Sequence, residues 1–232
     1  MIEIRNLQKT YNKHTVLDIS TLAIPEGQSF GLVGNNGAGK TTLFRLILDL
    51  IKADSGEVFS NNKPVNLNDD WKAYTGSYLD EGFLIPFLTA LEYFQFVAKL
   101  YNIPKDHLNE VLAPYESFLT EEILKKKTYI RDLSKGNQNK VGIVSALLMN
   151  PKVLVLDEPF ANLDPSSQIK LKKILIEKRN QKQTTMLISS HDLSYLFEIS
   201  ERIVILENGI IKNDIQTENT TLIEIEKYFE VA

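Results

Sequence analysis

The stretch Gly34-Asn35-Asn36-Gly37-Ala38-Gly39-Lys40-Thr41 limits what this chain can fold into more than any other. It follows a short apolar run, Phe30 to Val33. It opens a segment in which Leu43, Leu46, Ile47, Leu50 and Ile51 recur at helical spacing. Strand, glycine-rich turn and helix are the context in which G-x-x-x-x-G-K-S/T builds a phosphate cradle. The glycines let the backbone curl so that successive N–H groups point at phosphate oxygens. The helix N-terminus adds its positive dipole end. Lys40 brings a mobile positive charge for the outer phosphates, and the Thr41 hydroxyl, followed by Thr42, can ligate Mg²⁺.

A second run, Val153-Leu154-Val155-Leu156-Asp157-Glu158-Pro159, is an apolar strand tipped by two acids. In a protein with such a loop, an acid at that place reaches the Mg²⁺ ion. Asp157 is positioned for that work. Glu158, one residue on, can accept a proton from an attacking water.

Strands and helices alternate from Pro151 onward: Val153 to Leu156, Pro165 to Arg179, Thr184 to Ser189, Leu193 to Ile199. Arg202 to Glu207 then pairs with Ile210 to Ile215 across Asn208-Gly209, a strong hairpin signal. Such alternation predicts a largely parallel sheet with helices on its faces. The N-terminal part reads as short strands: one through Ile2, Ile4 and Leu7, one from Ser20 to Ile24, and an edge hairpin of Gly56 to Ser60 with Pro64 to Leu67. Residues 82–150 look helical and inserted between the two halves of the sheet. Within them, Thr89 to Asn102 carries one narrow polar stripe of Glu92, Gln95, Lys99 and Asn102, the pattern of a buried core helix. The last segment places Leu222, Ile225, Tyr228 and Phe229 on one helical face.

Composition trims the alternatives. The 232 residues contain no cysteine, so no disulfide framework exists. A net charge of −4 argues against a general nucleic-acid binder. The most apolar stretch, Leu84 to Ala98, is too short and too polar to span a bilayer, and a soluble protein is expected.

Leu133-Ser134-Lys135-Gly136-Asn137-Gln138 lies shortly before the acid-tipped strand, and it resembles the LSGGQ signature of ATP-binding cassette (ABC) proteins. Other marks of that family follow in its order. Tyr11 resembles the aromatic that stacks on adenine, Ala161-Asn162-Leu163-Asp164 the D-loop, and His191 the switch histidine at the γ-phosphate. The resemblance runs from Ile2 to Asp214. It implies a single domain over residues 1–232 with a P-loop NTPase core and an N-terminal antiparallel β-subdomain (1–81 and 151–232), and an inserted helical subdomain (82–150). It also implies that two cassettes sandwich ATP and Mg²⁺. In that arrangement Gly34 to Thr42 and Tyr11 of one cassette face Ser134, Gly136 and Asp164 of the other. Lys40 and His191 stabilise transferring charge, and Glu158 is the general base.

Two positions depart from the family pattern. Lys135 stands where a glycine is usual and Asn137 where a glutamine is. The stretch from Leu124 carries Lys125, Lys126, Lys127, Arg131, Lys135 and Lys140 against the single acid Asp132. Beyond a solvated face, this predicts a positive charge from Lys135 near the nucleotide of the opposite subunit. The Q-loop glutamine is also replaced. Counting forward from Tyr78 puts Glu81 at its place, and counting back from Leu88-Thr89 puts Asp80 there, so both are candidate metal ligands.

The resemblance implies the motor subunit of a transporter, held on the cytoplasmic face of the membrane by a separate permease. Phe83, Leu84, Phe87 and Leu88 are the candidate permease contacts. The altered signature and the short segment after Ile215 resemble bacterial exporter cassettes, and the expected partner cassette is a second copy. The alternatives are a soluble cassette ATPase acting on nucleic acid or ribosomes, and a P-loop kinase or GTPase, which would leave the signature and His191 unexplained.

Overall fold

The computed structural model describes residues 2–125 and 127–230, without the side chains of Lys125, Tyr228, Phe229 and Glu230. Alternating burial makes β1 (Ile2–Tyr11) a strand with one face in the core. It pairs antiparallel with β2 (His14–Ile24), which is twice the length expected from sequence. Leu17 and Ile19 are buried like Leu22 and Ile24, but Ser20 and Thr21 are both exposed, and this slip of phase interrupts the alternation. A short wholly buried strand, β3 (Ser29–Val33), leads through the glycine-rich loop into α1 (Lys40–Ile47). Next come β4 (Ser55–Ser60) and β5 (Lys63–Pro64). The expected return strand to Leu67 ends at Pro64. The Leu67 amide turns back on the Pro64 carbonyl at 3.3 Å, and its side chain is 76% exposed.

Following β6 (Thr75–Tyr78), the chain leaves the sheet for α2 (Ala90–Leu100), α3 (Leu108–Leu112), α4 (Thr120–Lys125) and α5 (Lys135–Leu147). It then returns as β7 (Val153–Leu156), α6 (Pro165–Gln181), β8 (Thr185–Ser190), α7 (Leu193–Ile199), β9 (Arg202–Glu207), β10 (Ile210–Gln216) and α8 (Leu222–Glu230). Two sheets result, an antiparallel one in the order β2-β1-β4-β5 and a six-stranded one in the order β10-β9-β3-β8-β7-β6. In the second sheet only the β9–β10 hairpin is antiparallel. The fold is therefore α/β, with an N-terminal antiparallel sheet and a helical insert between β6 and β7.

Period-two alternation along the parallel strands divides the interior. Phe30, Leu32, Val153, Val155, Leu187, Val204 and Leu206 face α1 and the antiparallel sheet. Leu154, Leu156, Met186, Ile188, Ile203 and Ile205 face the helical side. The insert is locked on by α5, in which Gln138 to Leu147 are all buried. It lies so close to β6 that a Cβ on Gly142 would sit 2.1 Å from the Tyr78 ring. The Tyr78 hydroxyl closes the contact by donating to Asn139 Oδ1 at 2.7 Å.

Helix α2 differs from the expected core helix. A capping box between Thr89 and Glu92 starts it, and Phe94, Val97 and Ala98 are buried. Leu91, Phe96 and Leu100 are exposed, so its open face is wider than the polar stripe. In α8, Ile225 is buried; Tyr228 and Phe229, expected on the same face, lie outside the described side chains. Among the described residues no helix is long and apolar enough to cross a membrane.

Candidate active site

Parallel strands place their C-terminal ends along one edge, and three of those ends meet the N-terminus of α1. The loop after β3 curls there because Gly37 and Gly39 both adopt left-handed backbone, at φ 84° and 106°. A side chain at Gly37 would point into open space, whereas one at Gly39 would strike the Val16 carbonyl of β2 at 2.8 Å. The crest formed by Asn35, Asn36 and Gly37 is exposed, with Gly34 and Ala38 buried at its ends and Thr42 half-buried on α1. Lys40 is the first residue of α1 and is 6% exposed. Its ammonium donates to Gly34 O at 2.6 Å and Asn35 O at 3.4 Å, and it lies 3.1 Å from Glu158 Oε1.

Parallel pairing of β7 with β8 puts Leu156 opposite Ile188, so Asp157 and Ser189 emerge side by side. The Thr41 hydroxyl donates to Asp157 Oδ2 at 2.5 Å, and the Ser189 hydroxyl donates to Asp157 Oδ1. Burial pushes the Asp157 carboxyl above its ordinary value. The two hydroxyl donors and Lys40 oppose that shift, and the charge of Glu158 adds to it. Glu158 adopts left-handed backbone at φ 48°, unusual for a residue with a side chain. That geometry turns its carboxylate between Lys40 and His191, whose Nδ1 lies 2.8 Å from Oε2. The Glu158 amide donates to the Ser189 hydroxyl at 2.9 Å. Lys40, Thr41, Asp157, Glu158 and His191 thus form one cluster.

The remaining predicted residues lie around this cluster. Tyr11 is 44% exposed at the β1–β2 turn, with the Lys9 ammonium 5.3 Å from its ring centre. Asp80 and Glu81 diverge. Asp80 lies 3.6 Å from Arg45 of α1 and caps the Gly82 amide, whereas Glu81 pairs with Lys135. Lys135, expected to serve the opposite subunit's nucleotide, is therefore engaged by a carboxylate of its own chain. Ser134 caps α5 by accepting from the Asn137 amide at 3.3 Å. Gly136 packs on Asn162, where a Cβ would meet the carbonyl at 2.5 Å. Asp164 caps α6, and the hydroxyl and amide of Ser167 hold its carboxyl down at about 2. Among the described residues no hydrogen bond ties Ser134, Gly136 or Asp164 to the glycine-rich loop.

Of the expected permease contacts, Phe83 and Phe87 are exposed, but Leu84 is buried in the helical core. The sequence reading missed Ser189 and Arg45. For Ser189 a signal existed: Ser189-Ser190 is a polar end on an otherwise apolar strand, next to His191.

A family profile described as ABC transporter matches residues 17–161. An uncharacterized ABC transporter ATP-binding protein of Bacillus subtilis, YhaQ, is 36% identical over 90% of this chain and 69% of its own length. The bacitracin transport ATP-binding protein BcrA of Enterococcus faecalis is 32% identical over 93% of this chain and 69% of its own. FbpC of Escherichia coli, named for import of Fe(3+) ions, is 29% identical over 90% of this chain and 60% of its own. A solved dimeric ATP-binding cassette in a post-hydrolysis state with ADP and Pi superposes with a TM-score of 0.81. It is 27% identical, and the match covers 94% of this chain and 99% of that one.

Proposed function

This chain belongs to the ABC transporter family as an ATP-binding, ATP-hydrolysing cassette, and from that premise we propose that it drives a separate membrane permease, using the cluster at the ends of β3, β7 and β8. The convergence of Lys40, Thr41, Asp157, Glu158 and His191 on the N-terminus of α1 carries this reading. The loop amides and Lys40 bind the triphosphate. Glu158 orients water and takes its proton, and His191, hydrogen-bonded to Glu158, stands by the transferring phosphoryl group.

Magnesium fits the oxygen donors present. Thr41 and Asp157 offer adjacent oxygens, and a hard cation accepts one or two protein ligands together with nucleotide phosphates. When bound, Mg²⁺ neutralises charge developing on the phosphate oxygens. Of the two carboxylates at the Q-loop position, we assign that role to Asp80, because Arg45 joins it to α1 three residues beyond Thr42. Ser134, Gly136 and Asp164 act on the nucleotide of a second copy, an assignment supported by likeness to the dimeric cassette.

Glu158→Gln should retain ATP binding while hydrolysis falls by about 10²–10⁴-fold, the usual cost of losing a general base. Binding is read with a fluorescent ATP analogue and turnover by phosphate release. Near-normal turnover would remove Glu158 from the role.

The permease holds the chain peripherally at the cytoplasmic face of the membrane, and exposed Phe83 and Phe87 are its proposed contacts. A tagged chain purified from detergent-solubilised native membranes should bring down a multi-span membrane protein. Recovery of soluble partners alone would overturn the transporter reading. Export is the direction we propose, supported by the altered signature. Import, favoured by the likeness to FbpC, is the second reading.

A further inference from the structure

We propose that Ser189 is a positioning residue for ATP hydrolysis, setting the orientation of Asp157 and Glu158 together through one hydroxyl. The proposal rests on the roles assigned above to those two acids.

Ser189 is fully buried in the penultimate position of β8. It lies two residues beyond Leu187, on the sheet face covered by α1, and that is also the face carrying Val155 and then Asp157. An apolar side chain would satisfy the packing there. The hydroxyl instead makes two different bonds. It accepts the Glu158 amide at 2.9 Å, which leaves its single proton for Asp157 Oδ1.

Each bond constrains one acid. With Oδ1 taken by Ser189, the Asp157 carboxylate can turn only Oδ2 towards Thr41. With its amide fixed, Glu158 is held at φ 48°, the backbone geometry that aims its carboxylate at Lys40 and His191. Without the hydroxyl, a buried carboxylate oxygen and a part-buried amide would both lose their partner, and each acid could settle in another orientation.

The test compares wild type, Glu158→Gln, Ser189→Ala and Ser189→Thr. Four readouts apply: kcat, the Mg²⁺ concentration for half-maximal turnover, affinity for a fluorescent ATP analogue in EDTA, and nucleotide-free melting temperature. Ser189→Ala should lower kcat by about 10- to 100-fold, the range set by one hydrogen bond to a charged group. It should also raise the Mg²⁺ requirement, with metal-free affinity near wild type and a melting temperature lower by only a few degrees. Ser189→Thr, which keeps the hydroxyl, should recover most of the turnover.

Wild-type kcat and Mg²⁺ dependence in Ser189→Ala would overturn the proposal. So would equal losses in the alanine and threonine variants, or a fall in metal-free affinity matching the fall in kcat. If Glu158→Gln hydrolyses ATP normally, the reading of the site itself fails, and that outcome is separate from a failure confined to Ser189.

Discussion

Lys40 and Lys135 each begin a helix, and the structure treats them in opposite ways. A positive charge at a helix N-terminus opposes the helix dipole, so each lysine needs a compensating partner. Lys40 is drawn into the loop ahead of it, 6% exposed, against two carbonyls and the Glu158 carboxylate. Lys135 stands 61% exposed and is met by Glu81 from the turn after β6. The helix caps differ in the same sense. Gly39 offers no side chain and leaves the first amides of α1 open to a ligand, whereas Ser134 spends its hydroxyl on the Asn137 amide. One N-terminus is built to receive anionic oxygens from outside the chain. At the other, Lys135 and the capping hydroxyl are already engaged within the chain, and the action proposed above for Ser134 and Gly136 is on a second copy's nucleotide.

Removing each lysine measures that difference. Lys40→Ala should weaken ATP-analogue binding by about 30-fold or more, because loss of one member of a buried, hydrogen-bonded charge set costs about 2–5 kcal/mol. Glu158 would then lose one of its two facing partners and keep the hydrogen bond to His191. Titration of the fluorescent analogue checks it. An affinity within threefold of wild type would mean that the buried lysine is structural, and the contrast with Lys135 would collapse.

How much of this could be read from the chain depends on what kind of contact carries it. The loop, α1 and the acid-tipped β7 are encoded in consecutive residues, and so is the β9–β10 turn at Asn208-Gly209. The first half of β2 is not, because the exposed pair Ser20-Thr21 breaks its period. The outward apolar face of α2 escapes for a related reason: periodicity separates polar from apolar residues, but does not say that Phe96 and Leu100 stay in water. Side-chain partnerships between distant elements are the least accessible. Ser189 could be suspected from its place beside the acids, yet its two hydrogen bonds, one donated to Asp157 and one accepted from Glu158, follow only from the β7–β8 register. The sorting of Asp80 towards Arg45 and Glu81 towards Lys135 requires the turn after β6, where Asp80 caps Gly82.

The smallest expected effect lies in that last pair. Lys135 holds the Glu81 carboxyl below its ordinary value, so the folded state binds protons less readily than the unfolded one. The pair's contribution is therefore full above the ordinary carboxylate range and is lost as pH falls through the lowered value. Both groups are well exposed, which limits the contribution to about 1 kcal/mol or less and makes it sensitive to salt. A denaturant double-mutant cycle with Glu81→Gln and Lys135→Ala should give a coupling of that size at pH 7 in low salt. The coupling should fade in 1 M salt and again under acid conditions. If it is absent at pH 7 while Lys135→Ala lowers ATP-dependent dimerisation, the lysine works across the dimer and not within its own chain. Lys135 would then join Ser134 and Gly136 in facing the second copy's nucleotide, and the contrast between the two lysines would reflect only which subunit brings the phosphate.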